Sequence, residues 1–297
     1  MSTQTVSASA DDPLHRQWED EFAPEVHVYE PHKVGLPPLR AYVHELWRRR
    51  EFAIELARTR LAAQHYGTAF GMTWLILNPL LLGVVYFLLV DILRSGHHPK
   101  GFFAHLLGGI FAYYLFSDSV RPAVKSVTSG GRLILNTAFP RTLLPLSAVL
   151  TSVMRFLPTM GVYVIVHVAS GLSFDVEMLW AIVPLLEILV FTLGICMLVA
   201  ALQVYFRDMA NFLPYLLRIW LYACPVLWYA AEVPHGYKWL LYANPLGSML
   251  TAWSEALNQG ITPGTTWLVL GGAWAVVAFV AGGLFFVSRE REFAVRL

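Results

Sequence analysis

Three tyrosines, Tyr215, Tyr222 and Tyr229, recur at seven-residue intervals within one apolar stretch, with Arg218 beside them. On a helix that spacing drifts by only about 20° per step, so the rings form a single stripe. Interfacial anchoring explains tyrosines at the ends of an apolar run but not Tyr222 in its middle. Rings that carry hydroxyls, with a guanidinium alongside, suit a sugar polymer. Sugar rings offer flat apolar faces to slide on, and hydroxyls exchange weak hydrogen bonds as each unit passes. The competing reading has these tyrosines packing a seam between two copies of the chain, with no contact to a sugar. Arg155 and Glu187 form a second candidate pair, deep in two consecutive apolar runs. An unpaired arginine there would cost at least about 2.5 kcal/mol. Counted from the short turn between the runs, the two lie at comparable depths of about 24 Å and about 18 Å. A structural salt bridge is the expectation. Glu19-Asp20-Glu21 and His97-His98 fall on opposite sides of the first apolar run, which disfavours a membrane-embedded glycosyltransferase. Cys196 and Cys224 sit inside apolar runs without a CxxC or Cys/His ligand spacing, so they read as small buried hydrophobes and no metal site is expected.

The elements that must position these residues follow from composition. The 297 residues are 57% hydrophobic and 14% charged, well below the roughly 25% charged residues of a soluble domain. A net charge of +1 gives no basic field for nucleic acid. Residues 1–38, with five prolines, read as an irregular cytosolic tail. From Leu39 to Tyr66 strong helix formers take over. Val43, Trp47, Ile54, Ala57 and Leu61 recur at helical spacing, and arginines fill the remaining surface. This predicts an amphipathic interface helix; a surface helix of a small soluble domain is the alternative. Residues 67–297 hold six apolar runs near the ~20 residues a span needs: about Met72–Leu93, Phe102–Val120, Leu143–Ser170, Val176–Tyr205, Phe212–Ala231 and Trp267–Ser288. The fold class is therefore an all-α membrane protein with six spans. With the N-terminus inside, the inner segments from Leu39 onward hold fourteen Lys and Arg and the outer loops three, which puts both termini in the cytosol.

The chain carries no GxxxxGK[ST], GxGxxG, HExxH or GxSxG signature and shows no convincing internal repeat. Four segments in order supply a resemblance. They are Arg60-Leu-Ala-Ala-Gln-His-Tyr-Gly-Thr-Ala-Phe-Gly-Met-Thr-Trp-Leu-Ile-Leu-Asn-Pro-Leu, Leu133-Ile-Leu-Asn-Thr-Ala-Phe-Pro-Arg-Thr-Leu-Leu-Pro, Tyr205-Phe-Arg-Asp-Met-Ala-Asn and Tyr242-Ala-Asn-Pro-Leu. Together they resemble the membrane subunits of type-2 ABC exporters, in the branch that exports O-antigen, teichoic acid and galactan polysaccharides. The sequence departs from the family at His65, where a basic residue is frequent, and at Leu135-Asn136-Thr137, where lysines are common.

The resemblance implies a subunit without its own ATPase site and without a cofactor. It would pair with a second copy and with two nucleotide-binding subunits that carry ATP and magnesium, in the cytoplasmic membrane, with a lipid-linked polysaccharide as cargo. Phe139, Pro140, Arg141, Arg207 and Asp208 would transmit the ATPase stroke from two cytosolic loops. For Arg207-Asp208 a plain helix-end charge pair is the alternative. Trp239-Leu-Leu-Tyr and Met249-Leu-Thr-Ala-Trp would form two short re-entrant helices at the outer mouth. The tyrosine stripe, helped by Tyr86, Tyr113 and Tyr114, would face a channel at the dimer centre. An ion-coupled carrier acting alone is the rival class, with Glu187 as its titratable residue.

Overall fold

The computed structural model describes residues 38–65, 70–137 and 139–296. Residues 1–37 of the expected tail, with Glu19-Asp20-Glu21, lie outside these residues, as do residues 66–69 and 138 of the motif segments. Among the described residues the secondary structure is entirely helical. The principal helices are α1 (Leu39–Arg48), α2 (Arg50–His65), α3 (Trp74–Leu93), α4 (Phe102–Val124), α5 (Leu143–Ala169), α6 (Ile182–Tyr205), α7 (Met209–Ala223), α8 (Lys238–Ala243), α9 (Pro245–Asn258) and α10 (Thr265–Arg289). Among the described residues four segments are long and apolar enough to cross a membrane: Gly71–Leu93, Leu143–Ala169, Val176–Tyr205 and Thr265–Arg296.

The expected second and fifth spans depart from that pattern. The second is longer than expected, a 23-residue helix that reaches Val124. Its polar residues, His105, Ser117, Asp118, Ser119 and Arg121, sit on the helix that the others enclose: α3, α5, α6, α7 and α9 all pack on α4. A helix shielded by protein tolerates polar side chains that lipid would not. The fifth is not one helix from Phe212 to Ala231. It stops at Ala223, because Cys224 turns extended (φ −96°, ψ 152°). Pro225 follows, lacks an N–H and disfavours helical geometry in the residue before it. At 15 residues α7 is about 22 Å long.

The expected interface helix is two helices that meet at Arg49. No residue of α1 is buried, and Val43 and Trp47 of its apolar stripe are exposed. By contrast α2 packs on α5, with Ala53 and Ala57 fully buried. Elsewhere α6 and α10 run together. A methyl group on Gly194 would overlap the Ala278 backbone, and one on Gly282 would overlap the Gly194 carbonyl. Small residues let apolar helices approach this closely when no water drives them together.

Candidate functional site

At one end of the bundle four chain segments converge on the residues after α10. The Tyr42 hydroxyl donates to Glu290 Oε2 at 2.6 Å and shares a 2.6 Å hydrogen bond with Thr142. Burial, and then the Glu290 charge, push the Tyr42 pKa up, so this hydroxyl stays a donor. The Arg141 backbone N–H reaches the Glu290 carboxylate, and its guanidinium reaches the Glu290 carbonyl. Phe139 packs on Phe52 with ring centroids 5.3 Å apart, and Pro140 is buried. The Phe139-Pro140-Arg141 turn is therefore a brace between α2 and the C-terminal segment, with Phe139 and Arg141 half-buried. Tyr205, at the end of α6, donates to Glu292 at 2.7 Å and lies under the Arg296 guanidinium at 4.5 Å.

Arg207 and Asp208 are exposed, in the short connection from α6 to α7. Gln203 shapes that connection. Its amide nitrogen donates to the Arg207 carbonyl and its oxygen accepts from the Ala210 N–H, both at 2.9 Å. With both amide groups satisfied, Gln203 can be buried, and it fixes the loop that presents the two charges.

The tyrosine stripe divides. Tyr215 and Tyr222 lie exposed on α7, and Arg218 is exposed between them. The hydroxyls of Tyr222 and Tyr86 are 3.5 Å apart, with the two rings edge to face. Tyr229 lies beyond the break in α7 and stacks on His105 at 4.0 Å, so the expected three-ring face is two rings long. Tyr113 is 1% exposed and gives its hydroxyl to the Leu217 carbonyl; it packs behind α7 and does not line a path.

The expected salt bridge between Arg155 and Glu187 is also corrected. Arg155 turns to α4 and pairs with Asp118 at 3.6 Å. Glu187 instead faces α10, where Gly271 leaves it room: a methyl group there would overlap Glu187 Oε2. That oxygen has no hydrogen-bond partner among the described residues.

No family model matches the chain. An O-antigen export system permease protein RfbA of Klebsiella pneumoniae is 27% identical over 213 residues, 71% of this chain and 82% of that protein. A second from the same organism is 26% identical over 212 residues, with 71% and 81% covered. RfbA of Myxococcus xanthus is 29% identical over 256 residues, 85% of this chain and 97% of its own. These similarities support a permease subunit of a type-2 ABC exporter.

The bundle is also held by polar side chains that spacing did not single out. Asn244, inside the Tyr-Ala-Asn-Pro-Leu segment, accepts from Trp220 Nε1 at 2.8 Å and donates to the Ala223 carbonyl at 3.0 Å. It thereby satisfies a carbonyl at the broken end of α7 while Pro245 begins α9. Tyr163 of α5 donates to Asn258 Oδ1 at 2.8 Å or to the Leu257 carbonyl at 3.0 Å. His105 of α4 and Ser254 of α9 are joined at 2.7 Å, and Trp253 Nε1 donates to the Gly108 carbonyl at 3.0 Å. At the same end Glu232 receives both guanidinium arms of Arg94, at 2.7 and 2.6 Å, and the Tyr229 N–H at 3.2 Å. Pro225, visible in the sequence, was the available signal for the break; for Asn244 the motif marked the place without its role.

Proposed function

We propose that the permease is the membrane half of an ATP-driven exporter, moving a lipid-linked polysaccharide across the cytoplasmic membrane. It works with a second copy of itself and two nucleotide-binding subunits that bring ATP and magnesium. The observation that carries this reading is the similarity to O-antigen export permeases, which extends over 85% of the chain and 97% of the Myxococcus xanthus protein.

Six crossings are supported by which residues meet. Tyr42 and Arg141 are both bonded to Glu290, and Tyr205 to Glu292, so these four stretches share one side. Arg94 is bonded to Glu232, and Tyr163 to Asn258. If these pairs share the other side, the chain changes sides through α3, α4, α5, α6, α7 with its extension, and α10. The arginine-rich side is the cytosolic one by the positive-inside rule. In this reading α8 and α9 are the re-entrant pair that seals the outer mouth. Exposed Arg207 and Asp208 meet the ATPase, and the Tyr42, Arg141 and Glu290 brace passes the stroke to α2 and α10. Tyr86, Tyr215, Arg218 and Tyr222 line the cargo path.

Reconstitution with a nucleotide-binding ATPase subunit from the same organism tests the proposal. Export and stimulated ATP hydrolysis should need both subunits, and Arg207→Ala with Asp208→Ala should uncouple hydrolysis while the complex still assembles in the membrane. Transport by the permease alone, driven by a proton gradient, would establish the carrier reading in its place.

A further inference from the structure

A cavity of about 330 Å³ opens between the start of α3, the last turns of α4 and the middle of α5, among Trp74, Asp118, Arg121, Ser152 and Arg155. Its depth can be read from α5. Arg60 of α2 donates to Ser147 at 2.8 Å, and Thr151 donates to the Ala57 carbonyl at 3.4 Å. That part of α5 is therefore level with the interface helix. Ser152 and Arg155 come one and four residues later, about 1.5 and 6 Å further in. Trp74 opens α3, and Asp118 and Arg121 lie in the last two turns of α4. Within the orientation proposed above, on which this step rests, the polar end of the cavity sits at the headgroup level of the cytosolic leaflet.

The chemistry there is donor-rich. Asp118 is engaged by Arg155, which leaves the exposed Arg121 as a cation without an ion pair among the described residues. Ser152 is 2% exposed, yet its Oγ has no hydrogen-bond partner among the described residues, and neither does the buried Arg155 Nε. Buried donors are ordinarily paired, so two of them at one cavity mark the place of an acceptor. Two guanidiniums and a hydroxyl against one carboxylate suit an anion with several oxygens, for which phosphate is the match. Deeper in the membrane the walls turn apolar, at Leu82 and Phe111. A polar, cationic mouth continued by an apolar cleft fits a head and a tail.

We propose that this cavity binds the phosphate end of a membrane amphiphile, with Arg121, Ser152 and Arg155 as its donors. The source is either a bilayer phospholipid or the polyprenyl carrier of the cargo, and both present the same chemistry. The test uses the purified full-length permease in neutral detergent, without any ATPase. It is titrated with dioctanoyl phosphatidylglycerol, farnesyl pyrophosphate, dioctanoylglycerol and inorganic pyrophosphate, and binding is followed by native mass spectrometry.

The two phosphate amphiphiles should compete for one saturable site. Arg121→Gln and Ser152→Ala together should weaken both by about tenfold or more, as expected for lost charged hydrogen bonds, with the melting temperature unchanged. Because Arg121 is exposed, Arg121→Glu alone supplies a folded control and should weaken binding further. Tighter farnesyl pyrophosphate assigns the site to the carrier, and tighter phosphatidylglycerol assigns it to bilayer lipid. Equal binding of the phosphate-free glycerolipid, equal competition by inorganic pyrophosphate, or unchanged affinity in the variants would overturn the proposal. None of these readouts involves export, so failure of the exporter reading appears separately, in the reconstitution.

Discussion

Tyr113 and Tyr222 had the same expected role, yet one is sealed in the bundle at 1% exposure and the other is 48% exposed. Tyr113 points its hydroxyl at the Leu217 carbonyl, and its ring is enclosed by α4 and its neighbours. Tyr222 meets Tyr86 across a 3.5 Å contact and is otherwise open. A tyrosine in an apolar helix can serve as a large core residue with a satisfied polar tip, or as a weak, exchangeable hydrogen-bonding surface. What separates the two is the partner of the hydroxyl. Helical spacing alone does not reveal it.

Alanine replacement should separate them most sharply. Tyr113→Ala removes a buried ring and leaves the Leu217 carbonyl without its donor, so a loss of about 3 kcal/mol or more is expected. Tyr222→Ala should stay within about 0.5 kcal/mol of the parent, while Tyr215→Ala with Tyr222→Ala slows export and phenylalanine at both positions gives an intermediate rate. Thermal unfolding in detergent, set beside export in proteoliposomes, measures both arms. Equal stability loss at 113 and 222 would erase the distinction, and normal export by the alanine pair would remove the path from this stripe.

The stripe also marks how far the sequence could be read. Heptad spacing correctly put Tyr215 and Tyr222 on one face, because that property belongs to the helix alone. It failed at Tyr229 because Cys224-Pro225 ends the helix first, and a periodicity count carries no term for a break. The Arg155 pairing failed differently. Depth counted from the outer turn is the same for every neighbouring helix, so it cannot say whether Arg155 faces α6 or α4. Asp118 was also placed near a span's end, whereas α4 continues to Val124. The length and apolarity of α3, α5, α6 and α10 were legible because lipid demands both of any spanning helix. The Tyr42, Arg141 and Glu290 brace was not legible, since it joins residues 248 positions apart and no local pattern records such a contact.

Asn244 lets the break itself be tested, with a smaller expected effect than Tyr113. Its side chain ties Trp220 and the Ala223 carbonyl together, so Asn244→Ala leaves two partners unsatisfied. A loss of about 1–3 kcal/mol follows, with Asn244→Asp retaining the Trp220 bond and losing less. Hydrogen exchange at the C-terminal turn of α7 should rise in the alanine variant and leave α5 and α6 unchanged. If exchange rises nowhere, Asn244 does not hold the end of the tyrosine helix.

The smallest expected effect concerns where Tyr229 sits, and it depends on pH. Glu232 accepts the Tyr229 N–H and both arms of Arg94, and the Arg94 guanidinium holds its carboxyl below the ordinary value of 4.5. A carboxyl with a depressed folded pKa contributes its full stability above that ordinary value and loses it as pH falls through the lower, folded value. The Glu232 side chain is 36% exposed and that of Arg94 27%, so solvent and salt screen the clasp and its contribution stays at or below about 1 kcal/mol. Between pH 7 and 5 the wild type and Glu232→Gln should therefore differ by a constant, small amount. Below pH 4.5 the gap should close as the wild type loses its carboxylate, and 0.5 M salt should narrow it at every pH. Thermal unfolding of the two proteins across pH 3 to 7 gives the curve. A gap that widens on acidification would mean that the clasp does not hold Tyr229 through charge, and that the packing of its ring on His105 is sufficient.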